Sequence, residues 1–234
     1  MPQQYEDFEI AQEFMQRLRR KYAGTQRKVS VDGYHLTSLI YCITQAFWRD
    51  KIPFEPTDKE VLLWAVGLGL EQILLEDGEE HNRPVPKVVD GITVSPDYLL
   101  LSGNALAELK TNRLSVTKGA LEPKNGWPAT WVEQMMGYSK AYGLNTYRLG
   151  VYLVIAADLL GRRFEFEQQE LDTFWAEMLY RKSRLEEAVA KQLPPEPFAY
   201  LGDNGSWQCE RCAALTFCNV AKDLKQYIPK EVQV

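Results

Sequence analysis

Histidine is scarce in this chain of 234 residues, with His35 and His81 the only two. Neither stands at ligand spacing from a partner, so both read as structural residues. Uninterrupted apolar runs of about 18 residues, the length a membrane helix needs, are absent, and no membrane span is read. An excess of positive charge is missing too, the formal net charge being −5. That excludes a generally basic nucleic-acid coat; contact with DNA would need a local basic patch around an acidic centre. Internal repeats and low-complexity segments are lacking. The first 20 residues are charged and carry no apolar signal-peptide core, which points to the cytosol. Cysteine is limited to Cys42, Cys209, Cys212 and Cys218. In a reducing compartment the spacing Cys209-x2-Cys212-x5-Cys218 reads as a metal or cluster site before it reads as disulfides.

What is present is an ordinary globular composition, 45% apolar and 25% charged, in a chain long enough for one sizeable core. Apolar residues at helical spacing predict an amphipathic helix over 5–22 with a basic end at Arg17, Arg19, Arg20 and Lys21. Thr37 or Ser38 can cap a second helix running to about Arg49, with Cys42 one turn into it. The helix predicted over 59–75 is apolar nearly all round and should be buried; Glu71 lies in its C-terminal half. Residues 85–94 have strand character broken at Asp90-Gly91. Helices follow over 129–142 and 170–192, with a buried strand over 145–157 and an edge strand over 163–167 between them. Pro194-Pro195-Glu196-Pro197 leads into the cysteine segment. The pattern is a mixed α/β domain, a small mixed sheet flanked by helices.

Residues 96–110 carry the chemistry. Tyr98-Leu99-Leu100-Leu101 is a short apolar run, Ser102-Gly103-Asn104 a turn cluster, and 105–109 the returning strand, so a β-hairpin is predicted. Side chains alternate along a strand, so Glu108 and Lys110 share a side, and Leu109 is expected to enter the core. The hairpin can return both to Asp97. Two carboxylates and one amine at a sheet edge suit a divalent metal and the water it activates. The plainer alternative is a surface ion pair of Glu108 with Lys110. Downstream, 111–128 brings Arg113, Lys118, Lys124 and Trp127, either a DNA backbone path or an ordinary loop. Gln134 and Tyr138 share one helix face.

Pro96-Asp97, Glu108-Leu109-Lys110, Gly67-x3-Glu71 and Gln134-x3-Tyr138 together resemble, in order and approximate spacing, the RecB-type nucleases of the PD-(D/E)XK superfamily, whose core has the restriction-endonuclease-like fold. Cys42 before that core, with the three C-terminal cysteines after it, resembles the iron-sulfur branch, which includes the AddB nuclease domain and the CRISPR-associated RecB-like exonucleases. Ser38-Leu39-Ile40-Tyr41-Cys42 is similar to the start of the latter family. The resemblance covers roughly 34–222. It implies one nuclease domain over 1–234, with a cysteine-bearing helix at 34–49, a nuclease core at 59–192 and an iron-sulfur segment at 200–222. It implies a DNA exonuclease preferring single strands, acting in recombination, repair or CRISPR spacer adaptation alongside the proteins of those pathways.

The implied roles are specific. Asp97 and Glu108 would bind Mg2+ or Mn2+ with the Leu109 carbonyl, and Glu71 would complete the site directly or through water. Lys110 would orient the water, and Gln134 and Tyr138 would hold the scissile strand. The four cysteines would hold a 4Fe-4S cluster, with zinc the alternative. Two departures stand out: Glu71 occupies a place where many members carry histidine, and Ile43 one where the CRISPR-associated family often has proline. A non-catalytic subunit that keeps the fold and binds DNA or a partner is the competing function.

Overall fold

Eight residues, Ala105–Asn112, form the strand (β5) around which the larger sheet is assembled. The computed structural model describes residues 8–22, 33–49, 51–52, 56–75, 84–100, 105–112, 127–195, 208–209 and 212–219. In chain order the elements are α1 (Phe8–Tyr22), β1 (Tyr34–His35), α2 (Leu36–Ile40), α3 (Ile43–Arg49), α4 (Asp58–Leu75), β2 (Lys87–Val89), β3 (Ile92–Val94), β4 (Tyr98–Leu100), β5, α5 (Ala129–Tyr142), β6 (Thr146–Leu153), β7 (Asp158–Glu165) and α6 (Gln168–Lys191). They build two sheets, a small one in the order β1-β3-β2 and a larger one in the order β4-β5-β6-β7. Both sheets are mixed. The molecule is thus a mixed α/β fold of small mixed sheets flanked by helices.

The predicted hairpin forms: β4 runs antiparallel to β5 with Tyr98 opposite Ala107. Its turn, 101–104, lies outside the described residues. β5 continues three residues past the predicted end, because it pairs in parallel with β6 as far as Asn112 opposite Leu153. A parallel pair needs a crossover, which α5 provides. The break at Asp90-Gly91 is a two-residue hairpin turn joining β2 to β3. Both residues have positive φ, 52° and 75°, as a turn matching the strand twist requires. Aspartate and glycine are among the few residues that tolerate this.

Two predicted elements differ. The helix expected to run through Cys42 is two helices with a break at Tyr41-Cys42, and its N-cap is His35, without a side-chain capping bond, in place of Thr37 or Ser38. The cause is distant in sequence: the buried Arg181 guanidinium of α6 donates to the Leu39 and Ile40 carbonyls, both at 3.1 Å. Carbonyls taken by an arginine no longer need a continuing helix. The backbone turns extended at Tyr41, and the Cys42 carbonyl accepts the first bond of α3 from Ala46. The second difference is α4. Leu62, Val66 and Ile73 are exposed, although the sequence predicts burial on every side. Among the described residues its main packing neighbours are α1 on one flank and β5 on another, which leaves part of the helix surface uncovered by them.

The core lies between the inner face of the larger sheet and the layer of α2, α5 and α6. β6 shows why: Tyr147, Leu149, Val151 and Leu153 alternate with more exposed residues and are buried on one side. α2 crosses α5 at Gly137, where an added Cβ would overlap the Leu36 side chain. Glycine inside a helix is unfavourable by about 0.5–1 kcal/mol relative to alanine, yet here it permits the approach. Gly137→Ala is therefore expected to destabilise the protein by about 1–3 kcal/mol in urea unfolding, because overpacking outweighs the gain in helix propensity. A more stable variant would contradict this packing.

Candidate active site

Asp97 immediately precedes β4, and the register places it one step beyond the Tyr98–Ala107 pair, opposite Glu108. The register brings the two acids together although ten residues separate them. Asp97 Oδ2 accepts from the Leu109 main-chain N–H at 3.2 Å, so its carboxylate is anchored to β5 beside Glu108. The side chains of Glu108 and Lys110 point to the same face as Leu106, since strand residues two apart share a side. In the parallel pairing, Leu106, Glu108 and Lys110 stand beside Tyr147, Leu149 and Val151. That is the core face, and Glu108 is only 3% exposed.

A buried carboxylate demands partners. Lys110 Nζ donates to Glu108 Oε1 at 2.5 Å, and Gln134 Nε2 donates to the same oxygen at 2.7 Å. Both amide hydrogens of Gln134 are used. Its other amide hydrogen goes to the Tyr138 hydroxyl at 2.9 Å, and its Oε1 accepts from Lys110 at 2.9 Å. The Tyr147 hydroxyl stands 3.5 Å from Glu108 Oε2, the outer limit of a hydrogen bond. Burial, and after it the negative charge of Glu108, holds the Tyr147 phenol well above its ordinary pKa, so it stays protonated as a donor. The plainer alternative of a surface pair is excluded by this burial: Glu108 and Lys110 are an ion pair set into the core face.

Several expected placements change. Leu109 is half-buried on the opposite face, where its Cδ1 approaches the position of Gly150, and does not enter the main core. The alternation was right; which face is the core depends on the register with β6. Glu71 lies within α4, whose Gly67 lies against the Thr111 side chain, on the Leu109 side of β5. Among the described residues no group of three or more His, Cys, Asp or Glu side chains is disposed to hold a metal, so Glu71 is not gathered with Asp97 and Glu108. Gln134 and Tyr138, expected to hold a DNA strand, are 7% and 2% exposed. The Gln134 amide donates to Glu108 Oε1 and to the Tyr138 hydroxyl, so the pair is engaged with the acidic centre from within the core. Tyr147 was not singled out by the sequence; its role follows from register alone, although its alternating strand was visible. Arg113, Lys118 and Lys124 lie outside the described residues, as does His81. Trp127 is half-buried, its ring edge-on to Phe164 at 5.7 Å.

Among the described residues the four cysteines do not form a group of three or more disposed to hold a metal. All four are free thiols of intermediate exposure. Burial raises the Cys212 thiol, and the charges of Cys42 and Cys209 push it the same way against a lowering backbone hydrogen bond at Ala214. Cys42 and Cys209 therefore lie within electrostatic reach of Cys212, although Cys42 comes from the opposite end of the chain. The segment 212–219 packs on α3 through Phe217, whose ring lies 5.0 Å from that of Trp48. Of the expected iron-sulfur segment, 208–209 and 212–219 are within the described residues.

No family model matches the chain, and no curated protein does. Solved structures resemble it in fold. The crystal structure of SSO0001 is 16% identical with a TM-score of 0.51, over 89% of this chain and 95% of that one. An alkaline exonuclease, LHK-Exo, from Laribacter hongkongensis is 15% identical with a TM-score of 0.45, over 69% and 92%. A phage-related exonuclease from Haemophilus somnus 129PT is 11% identical with a TM-score of 0.47, over 64% and 82%.

The hydrogen bonds around Glu108 give a direct stability test. Gln134→Leu removes one of the donors to Glu108 Oε1 and the donor to Tyr138, leaving buried polar atoms short of partners. Urea unfolding should show a loss of about 1–3 kcal/mol, the usual penalty for an unsatisfied buried group. An unchanged midpoint would contradict the network.

Proposed function

We propose that this protein is a metal-dependent deoxyribonuclease that hydrolyses phosphodiester bonds, with Asp97 and Glu108 as its acidic pair and Lys110 as its cationic group. The observation that carries the reading is the junction on β5: Asp97 anchored at the Leu109 N–H, and Glu108 beside it with Lys110 on Oε1. A core-facing carboxylate held by an amine, a glutamine and a facing tyrosine is an expensive arrangement for stability alone. The donor set fits a hard cation. Two carboxylates and the Leu109 carbonyl are all oxygen, and Mg2+ or Mn2+ is commonly held by one or two carboxylates with water and substrate phosphate completing the shell. When bound, such an ion supplies a hydroxide nucleophile near neutral pH and stabilises charge on the phosphoryl oxygens.

The chain's own groups do the rest. Lys110 Nζ has three hydrogens, of which two are directed to Glu108 and Gln134. The third can be given to a phosphate oxygen or to the attacking water. Gln134 fixes both Lys110 and Glu108, and so acts as a positioning residue. We extend the proposal to exonucleolytic cleavage of single-stranded DNA in recombination, repair or CRISPR adaptation, which rests on the motif resemblance. The four cysteines would hold a 4Fe-4S cluster with a structural task, joining the two ends of the chain. Support for this comes from the thiolate donor set and from the electrostatic reach of Cys42 and Cys209 to Cys212. Phosphodiester hydrolysis has no redox step for a cluster to serve.

Cleavage of end-labelled single-stranded DNA with Mn2+ separates a nuclease from a non-catalytic subunit of the same fold. Asp97→Ala is expected to abolish cleavage with an unchanged circular dichroism spectrum, because it removes a ligand and little packing. Near-natural cleavage by that variant would overturn the assignment of Asp97, and no cleavage by the natural chain would favour the non-catalytic subunit. Anaerobically purified protein should contain about four iron and four acid-labile sulfide per chain. Stoichiometric zinc without sulfide would replace the cluster and leave the nuclease reading untouched.

A further inference from the structure

The outer face of the larger sheet, the reverse of the side that carries Glu108 and Lys110, is open where β6 meets β7. Tyr147, Leu149, Val151 and Leu153 take the core side of β6, so Arg148, Gly150 and Tyr152 look outward. Their partners on β7 are Arg163, Gly161 and Leu159, and residues paired across strands share a face. On this side α4 lies over β5, with Gly67 against Thr111. Over β6 and β7, Arg148 and Gly161 are exposed and Leu159 is 63% exposed.

Two features of this face work against the sheet. The first is charge: Arg148 stands directly opposite Arg163, and like charges in that relation are destabilising. Glu165 Oε1 lies 2.5 Å from Arg163 Nη2, and no carboxylate among the described residues pairs with Arg148. The second is a pair of facing glycines, Gly150 and Gly161, inside the two strands. Glycine weakens a strand interior, and it marks a bulge, a bend or the close approach of another molecule. The register runs unbroken from Thr146–Glu165 to Leu153–Asp158, so there is no bulge. A Cβ added at Gly161 would meet no atom within 4 Å, so no neighbour in the chain requires its absence.

We propose that this face binds single-stranded DNA, with Arg148 and Arg163 on backbone phosphates and a base lying over the two glycines against Tyr152. The choice of DNA rests on the nuclease reading above. Charge and shape select the occupant. Two guanidiniums side by side on a chain of net charge −5 match an anion, and their planar forks suit phosphate. The glycine floor leaves room for a flat group between the arginines and the aromatic ring. Single strands bind by combining a basic track with aromatic platforms, whereas a duplex keeps its bases stacked inside. The face is a second contact, holding the strand away from Glu108.

The test measures binding of the full chain to a fluorescent oligothymidylate by anisotropy in EDTA, where cleavage plays no part. Arg148→Gln combined with Arg163→Gln should weaken binding about tenfold and flatten log K against log salt by about 1.4, roughly 0.7 for each lost phosphate contact. Gly161→Val fills the floor and should also weaken binding about tenfold. Its thermal midpoint should hold or rise, since valine suits a strand, and a merely structural glycine would not separate the two readouts. No binding by the natural chain, or unchanged affinity and salt slope in the variants, overturns the proposal; cleavage by the natural chain would then still support the nuclease. Binding that follows the prediction without any cleavage in Mn2+ overturns the nuclease reading and leaves this face standing. Self-association that Gly161→Val abolishes, with DNA binding unaltered, gives the face to a second copy and overturns the proposal. Tighter binding of polyglutamate, lost in the same variants, gives it to an acidic polypeptide and overturns the proposal as well.

Discussion

A carboxylate on the core face of a sheet constrains everything around it. Glu108 is almost fully buried on the strand that joins the hairpin to the rest of the larger sheet. Desolvating an ion is worth several kcal/mol against folding unless its partners are close and well aligned. The structure meets that demand from two directions: Lys110 from the same strand face and Gln134 from α5, with the Tyr147 hydroxyl of β6 facing the other oxygen. Moving any of these elements would strand the charge. The β5-α5-β6 crossover is thus the frame of the site as well as the centre of the fold, and Gly137, one turn from Gln134, sets how closely α2 covers it.

Local signals were legible in the sequence because they depend on near neighbours. The span of α5 agrees with its prediction, and the Asp90-Gly91 break is a turn whose two positive φ angles those residues accept. The pairing of Asp97 with Glu108 was also readable, since a hairpin returns the chain on itself. Features set at long range were not. Alternation showed that Glu108 and Lys110 share a face, but only the register with β6 shows that this face is the core. The α2–α3 break depends on Arg181, 142 residues beyond Leu39. Apolar composition suggested a fully buried α4, and composition carries no information about how many neighbours a helix has.

Gln134 and Tyr138 illustrate how the same two residues serve the carboxylate in the folded chain. Their spacing puts them on one helix face, and the sequence offers DNA as their partner. In the structure the partner is Glu108 for Gln134, and Gln134 for Tyr138. Around Glu108 both amide hydrogens of Gln134 and its oxygen are hydrogen-bonded. Among the described residues, the buried Trp48 Nε1 and the two amide atoms of Gln208 have no hydrogen-bond partner.

The central claim is that Asp97 and Glu108 together bind a divalent cation. Crystals soaked in Mn2+ and measured at the manganese absorption edge test it without reference to any activity. The account predicts an anomalous peak within bonding distance of carboxylate oxygens from both residues. Manganese bound elsewhere, with Lys110 and Gln134 still engaging Glu108 and no peak beside Asp97, would contradict it.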